Sequence, residues 1–128
     1  MKNDRGMILV VERNPDVGTL LSALLQDEGY GVVRVSDADG GLEVARQQHP
    51  VLICLDDSNR EGPGMNLVRA LKKDPELQRV PIVVMSPKGT RQPPRATISA
   101  EAWIARPYAP QLLVAEVRRV LRSQLAIN

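Results

Sequence analysis

Val51-Leu52-Ile53-Cys54-Leu55, followed at once by Asp56, is the stretch whose reading decides the fold. It is short and continuously apolar, the pattern of a strand buried on both faces rather than one that alternates between core and solvent. Asp56 to Gly64 is polar and rich in Gly and Pro, which makes it a loop. Cys54 is the lone cysteine, so no intramolecular disulfide can form. Inside an apolar run it reads as a small buried hydrophobe rather than a reactive thiol.

Upstream, Met7-Ile8-Leu9-Val10-Val11 repeats the same buried-strand pattern. Asn14-Pro15-Asp16 follows: Asn suits an N-cap and Pro the first helical turn. Val17, Leu20, Leu21, Leu24 and Leu25 then recur at helical spacing, and Gly29 stops the helix. Gly31 to Val35 reads as a second strand. Ser36-Asp37-Ala38-Asp39 offers caps for a helix that carries Leu42, Val44 and Ala45 and ends near His49-Pro50. Downstream, Met65 to Lys73 reads as a helix with Leu67, Val68 and Leu71 inward. Val80 to Met85 is a fourth strand, Ser86 to Pro94 a loop, and Ala102 to Ala105 a weak fifth strand. Pro93-Pro94 cannot lie inside a helix, so any helix from Arg95 to Ala100 is short. Pro110 opens a long final helix with Leu112, Leu113, Val117, Val120, Leu121 and Leu125 as its buried side.

Strand and helix alternate five times, which predicts a parallel α/β sheet with helices on both faces and right-handed crossovers. A length of 128 residues with 43% apolar content makes one domain with one good core, taken as residues 1–128. No apolar run approaches the length of a membrane span and no signal peptide is visible, so a cytoplasmic location is expected. The net charge is +2, and no basic group is interleaved with aromatics; nucleic-acid binding is not expected of this domain. In a doubly wound sheet, ligands bind beyond the carboxyl ends of the strands. The chemistry is therefore sought at Glu12-Arg13, Asp56-Asp57-Ser58, Ser86 and Arg106-Pro107. Asp57 reads as a solvated neighbour and His49 as a helix C-terminal cation. No His or Cys stands close enough to another for a zinc site.

Five stretches in order resemble the receiver domain of response regulators over about residues 6 to 125. They are Ile8 to Pro15, Gln26 to Val35 with Gly41 to Pro50, Leu52 to Asp56 with Gly64 eight residues on, Pro81 to Ser86, and Trp103 to Tyr108. The resemblance implies a flavodoxin-like, doubly wound five-stranded sheet in the order 2-1-3-4-5. It also implies a histidine kinase that phosphorylates an Asp after the third strand, and a Mg²⁺ ion held partly by two acidic residues after the first. Asp56 stands at the phosphoacceptor position and Ser86 at that of the phosphoryl-binding hydroxyl. Glu12 occupies the first acidic position, and Trp103 that of the switch aromatic. Three positions depart from the pattern. Arg13 replaces the second carboxylate, Arg106 replaces a Lys and so changes the shape of the cation, and Arg60 stands where a Pro is usual. The fourth helix is expected to be shortened.

Two readings follow from the resemblance. In one, Mg²⁺ is held by Glu12, Asp56 and Ser58, and Asp56 is phosphorylated in the conventional way. In the other, the Arg13 guanidinium spans the gap of about 4.8 Å to the neighbouring strand, pairs with Asp56 and fills the metal's place. The second is favoured: a signalling module rather than a turnover enzyme, with Mg²⁺ bound weakly or not at all and phosphorylation slow or dispensable. Expected partners are a sensor histidine kinase, an output domain or another signalling protein. A tight homodimer is not expected, because the shortened fourth helix alters the usual pairing face. A small flavin-binding protein of the same topology is set aside, because the loops are poor in aromatics and lack a phosphate-cradling turn.

Overall fold

A computed structural model describes residues 5–56, 63–86, 102–105 and 109–127. Its elements are β1 (Met7–Val11), α1 (Pro15–Asp27), β2 (Gly31–Val35), α2 (Ala38–Gln48), β3 (Leu52–Asp56), α3 (Pro63–Lys73), β4 (Ile82–Ser86), β5 (Ala102–Ala105) and α4 (Pro110–Ile127). The strands form one parallel sheet in the order β2-β1-β3-β4-β5.

The apolar strand runs become a two-sided core because successive side chains point to opposite faces. Ile8, Val10, Leu52, Cys54, Val83 and Met85 pack with Leu21 and Leu25 of α1 and Leu113, Val117 and Val120 of α4. Leu9, Val11, Ile53, Leu55, Ile82 and Val84 pack on the other face with Ala45 of α2 and Leu67, Val68 and Leu71 of α3. Full burial of each such aliphatic side chain is worth about 1.5–3 kcal/mol. In this interior, burial pushes the Cys54 thiol up to about 12, which agrees with its reading as a packed hydrophobe.

Several boundaries and facings differ from the sequence reading. β3 runs to Asp56 itself, because Asp56 still pairs in register with Met85. β4 starts at Ile82, and α3 starts at Pro63, where a proline at the first turn costs no hydrogen bond. Leu112, assigned to the buried side of the last helix, is 47% exposed, and so is Leu20 of the apolar series in α1. Both sit beside a buried leucine, Leu21 and Leu113, and one helical step of about 100° turns a neighbour off the core stripe. α2 ends on His49 in the left-handed region (φ 49), with its N–H donating to the Ala45 carbonyl. Gly29 takes φ +97 just after α1, a turn that glycine allows without a Cβ penalty. The expected short helix over 95–100 lies outside the described residues. Among the described residues, no helix is long and apolar enough to cross a membrane.

Candidate functional site: the acidic turn beside Asp56

The turn after β1 is built by local capping. Asn14 precedes Pro15, which pushes it into extended geometry (φ −78, ψ 116). From there its Oδ1 accepts from the N–H groups of Asp16 (2.9 Å) and Val17 (3.3 Å), so the start of α1 is satisfied by an N-cap. Glu12 continues the β1 ladder by one more bond, its N–H donating to the Val35 carbonyl at 2.9 Å. Its side chain turns inward and is 1% exposed, the one charged residue among the buried side chains described. Glu12 Oε2 accepts from the Asn14 N–H at 3.0 Å. A buried carboxylate is costly without such partners.

Asp56 closes β3, the strand beside β1. Val11 pairs with Leu55 in register, so Glu12 and Asp56 each follow that pair by one residue. Alternation puts both on the face that carries Val10 and Cys54. Two carboxylate-bearing residues thus end adjacent strands on one side of the sheet. Ser86 ends β4, opposite Ala105 of β5, and Trp103 lies in β5 opposite Val84. The backbone accordingly gathers Glu12, Asp56 and Ser86 at the carboxyl ends of three neighbouring strands. Ser58 and Arg106 lie outside the described residues.

Arg13 departs from its expected place. Its side chain is exposed, and among the described residues no hydrogen bond or ion pair joins it to Asp56. The expected Arg13–Asp56 pair is therefore corrected. Glu12 is the residue that turns in, and the residue after it at a strand end faces the other way.

A different arginine engages the turn. Arg34, on the edge strand β2, donates from Nη2 to the Glu12 carbonyl at 2.8 Å and to the Arg13 carbonyl at 3.3 Å. It reaches them by lying across Gly18 of α1, where a Cβ would stand 2.2 Å from Arg34 Nε. Sequence reasoning missed Arg34. A lone Arg in an edge strand is indistinguishable from a solvated one, and the only signal was Gly18, a glycine within a helix.

The fit to a divalent ion can be judged from these donors. Mg²⁺ wants several oxygen ligands in octahedral array. Glu12 already has one oxygen on a backbone N–H, and the neighbouring position offers a cation turned to solvent. Among the described residues, no three His, Cys, Asp or Glu side chains converge to hold a metal. Glu12 and Asp56 are the carboxylates that the described strand ends bring to this place, and Asp57 and Ser58 lie outside the described residues.

With this geometry in place, residues 8–118 match the response regulator receiver domain. The chain belongs to the response regulator receiver domain family. It is 26% identical over 125 residues to the phosphate regulon transcriptional regulatory protein PhoB of Klebsiella pneumoniae, covering 94% of this chain and 55% of that protein. It is 33% identical over 120 residues to the nitrogen assimilation regulatory protein NtrX of Azorhizobium caulinodans, covering 91% of this chain and 26% of that one. The chain thus spans about half the length of the first of these relatives and about a quarter of the second. Among solved structures, a sensor protein from a Polaromonas species superposes with a TM-score of 0.81 at 25% identity, over 93% of this chain and 98% of the other. As a receiver domain, the chain is a module of two-component signalling.

Proposed function

We propose that this receiver domain works mainly by binding partners, with Asp56 at the phosphoacceptor position of a pocket that holds Mg²⁺ weakly and is phosphorylated slowly or not at all. The observation that carries this reading is the exposed guanidinium of Arg13 at the position of the second carboxylate. Phosphorylation would require the Asp56 carboxylate to attack the phosphorus of an anionic donor, forming an acyl phosphate as the leaving group departs with its electron pair. Bringing those like charges together needs a cation to offset repulsion and spread the developing charge. Fewer oxygen ligands make such an ion scarcer at the site. The partners we propose are a sensor histidine kinase, an output domain or another signalling protein. That proposal is consistent with relatives such as PhoB, whose chain is about twice as long and which is a transcriptional regulator.

The test is intact mass after incubation with acetyl phosphate, with and without Mg²⁺, in the chain and in Asp56→Asn. The expected result is little or no phosphate adduct and little effect of Mg²⁺. Trp103 supplies a parallel readout, as it is the sole tryptophan. No saturable fluorescence change is expected at low millimolar Mg²⁺. Rapid, stoichiometric, Mg²⁺-dependent modification that Asp56→Asn abolishes would overturn this reading and leave a conventional phosphoaspartate receiver.

A further inference from the structure

We propose that Arg34 is a positioning residue: a built-in cation that fixes the Glu12–Arg13 turn without a bound metal. This deepens the reading of a metal-poor pocket, and its functional meaning rests on that reading. Its geometry stands independently.

Three observations converge on it. First, the guanidinium addresses the backbone of the turn, not a carboxylate. Nη2 donates to the carbonyls of both Glu12 and Arg13, the two residues at the family's acidic positions. A donor that carries full charge makes a stronger bond than a neutral one. Second, the reach across α1 depends on a missing side chain. Gly18 is buried, and a Cβ there would come within 2.2 Å of Arg34 Nε and 2.5 Å of its Cδ. A glycine within a helix is less favourable than alanine, so the passage for Arg34 is kept at the helix's expense. Third, the Nε of Arg34 is fully buried and has no partner among the described residues. The side chain therefore accepts an unsatisfied donor in order to deliver its terminal nitrogen to the turn.

Together with the Glu12 N–H on the Val35 carbonyl and Glu12 Oε2 on the Asn14 N–H, these bonds hold the turn from the backbone and from the side chain. The carboxylate of Glu12 is then oriented by protein groups alone. A cation placed this close to the turn also opposes the approach of a second one. The same residue thus orders the acidic turn and makes it less hospitable to Mg²⁺.

The test compares the chain with Arg34→Met, which keeps an apolar stem over Gly18 but removes the donors, and with Arg34→Lys, which keeps the charge. Amide hydrogen exchange is followed by NMR in metal-free buffer at Asn14, whose N–H is held by Glu12, and at Ile53 in the central strand. In Arg34→Met, Asn14 is expected to exchange at least about tenfold faster while Ile53 is unchanged, and Arg34→Lys should restore part of the protection. Unchanged Asn14 exchange, or equal acceleration at Asn14 and Ile53, would overturn the proposal, because the loss would then be nil or merely global. The same spectra are repeated with millimolar Mg²⁺. A saturable shift of the Asn14 signal in the unmodified chain would refute the metal-poor reading, while the exchange result would still decide the role of Arg34.

Discussion

At the start of α1, Glu12, Asn14 and Arg34 make bonds that end on backbone groups, and the Glu12 carboxylate is out of solvent. At the far end of α1 the ties are of another kind. Glu28 meets Arg118 of α4 in an ion pair whose side chains remain 23% and 50% exposed. Arg5 lies 6.0 Å from the centre of the Tyr30 ring, in an open cleft shared with Asp27 and Arg122. The first arrangement fixes a carboxylate in one orientation, because each partner is itself anchored in the chain. The second joins flexible side chains whose attraction water and salt dilute. A site that must present a group at a set angle needs the first kind, and the structure places that kind beside Asp56.

Three experiments can break or sharpen this contrast. The largest expected effect concerns the sheet against which α1 packs. Cys54 lies fully buried in β3 with its thiol pushed up to about 12, so its thiolate is scarce at about pH 8. Labelling by a thiol reagent should be roughly a thousandfold slower in the native chain than in denaturant. Because the folded value is the higher one, the associated stability is present below the unfolded thiol's range, near 9.0, and is lost as pH rises from there toward 12. Rapid native labelling would mean that this interior opens readily.

The next effect separates the buried lock from ordinary helix propensity. Gly18→Ala should destabilise the chain by about 1–2 kcal/mol in urea, because the new Cβ displaces Arg34 from its carbonyls. In an Arg34→Ala background the same substitution should stabilise by about 0.5–1 kcal/mol, since only the helix gain remains. Equal effects in both backgrounds would show that the two residues are not coupled.

The smallest effect belongs to the exposed pair. Arg118→Ala should lower Tm by no more than about 2–3 °C, with the difference shrinking at high salt. The hydrogen bond from Arg118 holds the Glu28 carboxyl below its ordinary range. The stability this pair contributes is therefore present above the unfolded carboxylate's range and fades as pH falls through the lowered value. A loss that persists undiminished in acid would assign Arg118 a packing role instead of a charge role.

Much of this was readable in the residues themselves. The apolar runs at 7–11 and 51–55 read as strands buried on both faces, 52–55 of the second lie in β3, and the same alternation delivers Glu12 and Asp56 to adjacent strand ends. Asn14-Pro15 announced its cap because the chemistry is local. The facing of Leu20 and Leu112 was not readable, since apolar spacing cannot say which edge of a helical stripe a neighbour will cover. Nor could the sequence show whether Arg13 or Arg34 would serve the turn. The two are alike in chemistry, and only the register of β1 with β2, which sets Val10 opposite Arg34, brings the second within reach.

The sheet also acts as a partition. Even-numbered residues of β1 and β3 belong to the layer of α1 and α4, and odd-numbered ones to the layer of α2 and α3. A substitution at any one of these positions is thus addressed to a single layer, and its neighbour in sequence speaks to the other. Such a chain can exchange the packing on its α2/α3 side, residue by residue, while the layer that carries Glu12, Arg34 and Asp56 keeps its shape. Diversification of one surface and preservation of the other need not compete for the same positions.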